Sequence, residues 1–480
     1  MGNRKTRLAA WGLSLALVTG VLLQGAPVAA ADLQKEVVSY NGKAFTVQWT
    51  AVDVTDPHIR VRPVVAEQGV GHVESMASMV ERAGAVAAIN GTFFDAYEED
   101  ESLRHPNGLM LDSGRIVRSG ENQTLAVSTN KVAVINRLQA KLSVLSEDGQ
   151  TLISPWGVNT YYGNSEGQVV AYTDQYPGPI AFAGGAKITI SGGAISAITE
   201  DAASVPENGY VIFVGHTDGN DKWLLPKLKV GMKVKVEALF TNSDSGMVTP
   251  AESWVSAIGV GPKLLSGGAV DIDFARDGFD DPRITSSSNV RSFTGIDGSG
   301  RLVMGVITSA TMEQMAHVLA QIGLVEAMNM DGGASSGFYA DGRFVQSPGR
   351  LLSNALVITR DDRPQVQVEV NGQLVTELRG FIDGGSSITM VPLRGILERL
   401  GAELVWDDAD RRLDISKGST KITLRPDVRE AVVNGKTVTL GGAPVIENQH
   451  LFIPLRFVAE TLQADVDWNP DLYRASLVSR

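Results

Sequence analysis

The feature that most constrains the fold is a repeat near the C-terminus. "MVPLRGILERLGAELVWDDADRRLDI" and "FIPLRFVAETLQADVDWNPDLYRASLV" superpose at a constant offset of 62, with Pro392 on Pro454, Arg394 on Arg456, Leu400 on Leu462 and Trp406 on Trp468. Each copy reads as a short strand, a Pro-Leu-Arg helix start, one amphipathic helix and a Trp-bearing strand, followed by a turn and another strand. Between them, "KITLRPDVREAVVNGKTVTL" alternates apolar residues around an Asn-Gly pair, the signal of a hairpin. The charged, Pro-containing "TRDDRPQVQ" before the repeats marks a domain boundary and divides the chain into units 32–361 and 366–480.

At the other end, "MGNRKTR" is a basic segment, "LAAWGLSLALVTGVLL" an apolar run, and Ala29-x-Ala31 a small-residue cleavage pattern. Together they predict a signal peptide over 1–31 and a secreted protein without a transmembrane anchor. With Cys at 0, an exported fold rests on core burial alone. The formal charge of -12 becomes -15 once Arg4, Lys5 and Arg7 are removed, which argues against a nucleic acid partner.

The unit 32–361 is rich in Gly, in short alternating strands such as "KAFTVQW" and "HIRVRPVV", and in Asn-Gly and Asp-Gly turns. The expected fold class is therefore α+β: a mixed, strand-rich domain with a few helices, followed by the small α+β repeat domain. Helices are predicted over residues 73–84 and 311–323, the second with a Thr311/Gln314 capping box and a stop at Gly323. At an offset of 239 the two regions look alike, "ESMASMVERAGAVAAIN" over "EQMAHVLAQIGLVEAMN". Each runs helix, Gly, apolar strand, Asn. Either they are two ordinary helix–strand units, or their loops "NGTFFD" and "NMDGGASS" meet at one site.

"GASSG" fits the G-x-S-x-G pattern of a serine hydrolase elbow, yet "GFYADGRFV" after Ser335 reads as strand, and the only later His is His450. The six His show no H-x-x-x-H pair, so a zinc site lacks ligand spacing. "EEDES", residues 98–102, leaves a bound divalent cation open, and no nucleotide or organic cofactor is indicated. His105 and His317 read as structural residues. Asp331, by contrast, follows an apolar strand and enters a Gly-rich loop whose backbone N–H groups can approach a ligand.

"AAINGTFFD", "HPNGLMLDSGRIV", "GVGPKLLSGG", "VRSFTGIDGSGRLVMGVI", "MNMDGGASSGFYADGRFV" and "RLLSNALVI" occur in the order seen in phosphodiester glycosidases, and residues 80 to 358 resemble that family. Ala334 stands where the family usually has a third Gly of its loop, and Thr92 where it has a second Gly before the Phe pair. The resemblance implies hydrolysis of an α-linked sugar 1-phosphodiester to sugar and phosphomonoester, in envelope or extracellular glycans. It assigns catalytic roles to Asp331, Asn90, Arg291 and Asp95. It assigns substrate contacts to Arg350, Asn354, Asn329, Gly332, Gly333, Ser335, Ser336 and Thr92. Arg291 and Arg350 suit a phosphate, since a planar guanidinium meets two oxygens at once.

The tail resembles copper amine oxidase N-terminal-like stalk modules, which implies attachment to a cell-wall or surface polymer. One His and no Cys leave a copper site there almost without ligands. The rival reading of the whole chain is a non-catalytic envelope protein that binds glycans. A plain signal peptide without cysteines fits a Gram-positive exporter.

Overall fold

A computed structural model describes residues 32–160, 162–163, 165–447 and 450–479. The expected signal peptide lies outside them. Strands dominate and helices are short, so the fold is mostly β, which is coarser than the α+β expectation.

Two antiparallel sheets carry the two similar units. One runs in the order Gln34–Tyr40, Lys43–Val52, Leu302–Ala310, Asn289–Asp297, Leu324–Asn329, Lys263–Ser266, Ala269–Val270. The other runs Arg343–Gln346, Phe338–Ala340, Ala85–Asn90, Asn354–Arg360, Ile59–Val65. Ile89, Met110, Val306, Met328, Met330, Phe338 and Leu356 share one core between them. The helix Met312–Gln321 closes the first sheet, packing Met315 and Leu319 with Phe45 and Phe293. The helix Met76–Ala83 does the same for the second, with Met79 and Val80 against Ala88 and Val357. "AVAAIN" and "LVEAMN" are thus covered on both faces, which is why they read as apolar runs instead of alternating ones.

Thr311 accepts from Gln314 N and Gln314 answers to the Thr311 N–H, the expected capping box. The cap and the buried Met312, Met315, Val318 and Leu319 fix this helix; each such side chain is worth roughly 1.5–3 kcal/mol on burial. The first helix starts later than the sequence pattern suggests. Ser75 is its N-cap, and the backbone of Glu74 is spent on a bridge to Leu352. Gly84 closes it at φ 61, a left-handed position.

Residues 109–257 contribute a further core, in which Leu109, Leu111, Ile188, Val214, Phe240 and Trp254 join an eight-stranded to a five-stranded sheet. Another core is drawn from 366–477 alone. There the strands Thr389–Pro392 and His450–Pro454 pair antiparallel, and Val391 lies opposite Ile453, the residue at offset 62. Each of these strands leads into a helix, Leu393–Arg399 and Leu455–Leu462. Asn434 and Gly435 turn the hairpin between them at φ 49 and 82. Gln367 Nε2 and Arg474 Nη2 both donate to Thr129 O, at 3.1 and 2.9 Å, and join this core to the rest.

Candidate active site

Asn90 and Asn329 end the two equivalent strands, and each holds a loop. Asn90 Nδ2 donates to Asp331 O at 2.7 Å, and its Oδ1 accepts from Gly337 N at 2.9 Å. One side chain therefore clips both ends of the "DGGASSG" loop, while Asp331 N donates back to Gly91 O at 3.2 Å. Asn329 Nδ2 donates to Gly261 O at 3.1 Å, where a cis peptide bond joins Gly261 to Pro262. The two loops that look alike in sequence do meet.

The loop turns through Gly333 at φ 60, then a single 3-10 turn, Gly333–Ser335, before the strand Phe338–Ala340. A nucleophile elbow needs a helix after the Ser, and strand follows here. A Cβ on Gly337 would run into Met76 Sδ and Pro348 Cγ, both 2.5 Å away. That position must be Gly for the loop to sit over the first helix.

Asp331 opens onto a cleft of about 1040 Å³. Its walls are residues 93–98, the segment 281–291, the loop 331–335 and Arg350. By surface area Asp331 is only partly buried, yet protein crowds its carboxyl group. Burial pushes its pKa up to about 6, against the opposing pull of Ser335, the Gly332 N–H at 2.8 Å, Arg350 and Arg291. A carboxyl group poised this close to neutrality is unusual away from functional sites.

The guanidinium groups of the cleft differ in what they hold. Arg291 is buried, and its Nη2 donates to Ser287 O at 2.6 Å and to Arg283 O and Ile284 O at 3.2 Å. It fixes the wall at 283–287, with Nη1 directed toward Gly332. Arg283 is paired with Asp281 at 2.6 Å. Arg350 has no carboxylate within ion-pair distance among the described residues; its Nη2 meets Tyr97 Oη at 3.4 Å, and its guanidinium lies 5.1 Å from the Tyr97 ring centre. Arg350 is thus the cation of the cleft with the most binding capacity left.

Of the residues named from sequence, Asp331, Arg291, Asp95, Arg350, Gly332, Gly333 and Ser335 line the cleft. Asp95 is exposed and accepts from Asn107 Nδ2 at 3.2 Å. Asn90, Asn329, Asn354, Ser336 and Thr92 are buried outside it. Asn354 Oδ1 accepts from Thr92 N at 2.9 Å, and Ser336 Oγ donates to Val290 O at 3.1 Å. These side chains hold loops together and are not part of the cleft lining. The Thr92 departure from the family pattern therefore leaves the cleft surface untouched, whereas Ala334 lies on it.

Neither His105 nor His317 lines the cleft: His317 stacks on Tyr40, and burial pushes His105 down to about 4. No group of three or more His, Asp or Glu side chains among the described residues is arranged to hold a metal ion. Sequence reasoning missed Tyr97 and Arg283. Tyr97 lies between "NGTFFD" and the acidic run, and an aromatic beside charges in a loop was the available signal.

The cleft thus sets a carboxyl group of raised pKa among guanidinium groups. The family model described as phosphodiester glycosidase matches residues 184–359, and the copper amine oxidase N-terminal domain model matches 369–477. Both resemblances seen in the sequence are borne out over these stretches. The first stretch holds Arg291, Asp331 and Arg350, and the fold brings the loop of Asp95 and Tyr97 to it.

A solved structure of a hypothetical protein from Synechocystis is similar, at a TM-score of 0.57 and 18% identity over 69% of this chain and 62% of that one. Another, from Burkholderia pseudomallei K96243, has a TM-score of 0.53 and 20% identity, covering 66% and 74%. At these identities the likeness is one of fold. A curated relative, a protease inhibitor from Brevibacillus choshinensis, is 29% identical over 121 residues, and the match spans 25% of this chain and 37% of that relative's length.

Among the described residues, no helix is long and apolar enough to cross a membrane.

Proposed function

We propose that this protein is a hydrolase that cleaves the glycosidic bond of an α-linked sugar 1-phosphodiester, releasing the sugar and a phosphomonoester. The observation that carries the reading is the presence, in one cleft, of Asp331, poised at about 6, and of the Arg350 guanidinium, which among the described residues is paired with no carboxylate. The phosphodiester glycosidase match over residues 184–359 supports it.

The chemistry fits these groups. Breaking the C1–O bond builds positive charge at C1 and negative charge on the departing phosphate. A phosphate leaves as a stable anion, so it needs a cation more than it needs a proton, and Arg350 provides the cation. Asp331 in its carboxylate form stabilises the charge growing at C1 and takes a proton from the attacking water. Arg291 holds the wall at 283–287 in place and adds positive potential beside Asp331. The Gly332 N–H keeps the carboxylate aimed.

In this reading residues 32–361 are the catalytic unit and 366–480 a stalk that binds a wall or surface polymer. The chain is exported through its first 31 residues, in a Gram-positive bacterium. Hydrolysis of an α-N-acetylglucosaminyl phosphodiester by the full chain in ¹⁸O-water tests the reaction. Label in the released sugar supports C1–O cleavage; label in the phosphate means the protein is a phosphodiesterase of another kind.

A further inference from the structure

Arg379 lies on the strand Gln373–Ile382 of the repeat unit, where a break in register sets residues 376–379 against Gln367 alone. Extra residues of this kind turn side chains out of the regular ladder. Arg379 lines two small cavities, of about 20 and 30 Å³, in both of which it is joined by Gln367 and Val255. Arg60, Lys131 and Asp56 of the unit 32–361 also line the first, and Ser113 and Thr129 the second. Neither cavity shares a residue with the cleft of Asp331. Among the described residues Arg379 makes neither a hydrogen bond nor an ion pair. The acceptors that line these cavities with it are taken. Gln367 Oε1 accepts from Arg474 Nε and Nη2 at 3.0 and 2.9 Å, Thr129 O accepts from Gln367 Nε2 and Arg474 Nη2, and Asp56 Oδ2 accepts from Arg360 Nη1 at 3.0 Å.

The charges here do not balance. Asp112 lies 3.5 Å from Arg60 and 3.8 Å from Arg62, and its charge also acts on Arg379, so three guanidinium groups share this carboxylate. Arg60 Nε and Arg62 Nε are buried without a protein acceptor among the described residues. Lys131 is a further cation; its Nζ donates to Thr55 O at 2.9 Å, lies 5.1 Å from the Tyr473 ring centre and feels Asp56 and Asp53. Burial, with Arg60 adding to it, pushes Arg379 down to about 10, so it keeps its charge at neutral pH. A buried cation left without a counter-charge is strongly unfavourable. We infer that this junction binds one small monovalent anion, chloride, which Arg379 holds with Arg60 and Lys131 around it and which fastens the repeat unit to the unit 32–361. The size of the cavities selects the ion: a water molecule needs about 10–15 Å³, and a chloride ion is only a little larger, whereas a phosphate or the carboxylate of a polymer does not fit.

The test melts the full chain in sodium chloride and in sodium gluconate at equal ionic strength, beside Arg379→Met, which keeps most of the stem and removes the charge. Gluconate is too large for the cavities. Chloride is expected to raise the wild-type midpoint by about 1–3 °C over gluconate and to leave that of Arg379→Met unmoved. In gluconate the variant is expected to melt above the wild type, since the uncompensated charge is gone.

No chloride effect on the wild type, or the same effect on both chains, overturns the inference. Should Arg379→Met fail to fold, crystals of the wild-type chain soaked in sodium bromide decide: an anomalous peak beside Arg379 in these cavities supports the site, and water at that position contradicts it.

Discussion

Asn90 Nδ2 donates to the backbone carbonyl of Asp331 at 2.7 Å across 241 residues of chain. The same amide accepts from Gly337, so a residue ending one sheet's strand sets the shape of the loop that begins at the end of another's. Asn90→Ala leaves a buried carbonyl and a buried N–H without their partner. A loss of about 2–3 kcal/mol is expected, with a lower denaturation midpoint. Activity should fall with it because the loop bearing Asp331 loses its clip.

Asp331 is held at about 6 by burial, and that position fixes a pH profile. If the carboxylate is the working form, kcat/KM rises with pH through a midpoint near 6. Ser335→Ala removes one of the groups that lower this pKa, so the midpoint should move upward while activity survives above it. A profile falling through the same midpoint would assign Asp331 as an acid.

The same shift has a cost in stability. Between the unfolded value near 4 and the folded value of about 6, the folded chain holds a proton that the unfolded chain has lost. Stability at this site is therefore lost as pH rises through that window. Asp331→Asn should raise the neutral-pH stability by about 2 kcal/mol, with the gain vanishing below pH ~4. Thermal melts of both chains at acidic and slightly basic pH check the sign.

Gly91 and Gly108 sit where the packed chain leaves no room for a side chain. A Cβ on Gly91 would collide with Asn354 Oδ1, and one on Gly108 with Gly259 O and Thr92 Oγ1. Either Gly→Ala change should destabilise by about 1–3 kcal/mol or more, since the obstacles are backbone or buried amide atoms. Gly342→Ala, with open space around it, should cost less, chiefly through its φ of 71.

Much of this was legible in the sequence. The helix–Gly–strand–Asn pattern located both units, and the strand reading after Ser335 argued against an elbow, as the strand Phe338–Ala340 bears out. The roles of Asn90, Asn329, Asn354 and Thr92 were not legible. A polar residue at a strand end can face a ligand or a neighbouring loop, and which it faces depends on partners more than 60 residues away. Arg291 shows the same limit: its spacing suits phosphate, but the short helix Pro282–Thr285 brings carbonyls onto its guanidinium first. Tyr97 sits in a loop and Arg283 in a four-residue helix too short to show periodicity, so no pattern placed them on the cleft.

The most direct measurement is the release of sugar from an α-N-acetylglucosaminyl phosphodiester by the full chain, run beside Asp331→Asn and Ser335→Ala. The account predicts release by the wild type and by Ser335→Ala, with a loss of about 10²-fold or more in Asp331→Asn. No release across a panel of sugar phosphodiesters, or full activity in Asp331→Asn, would contradict it.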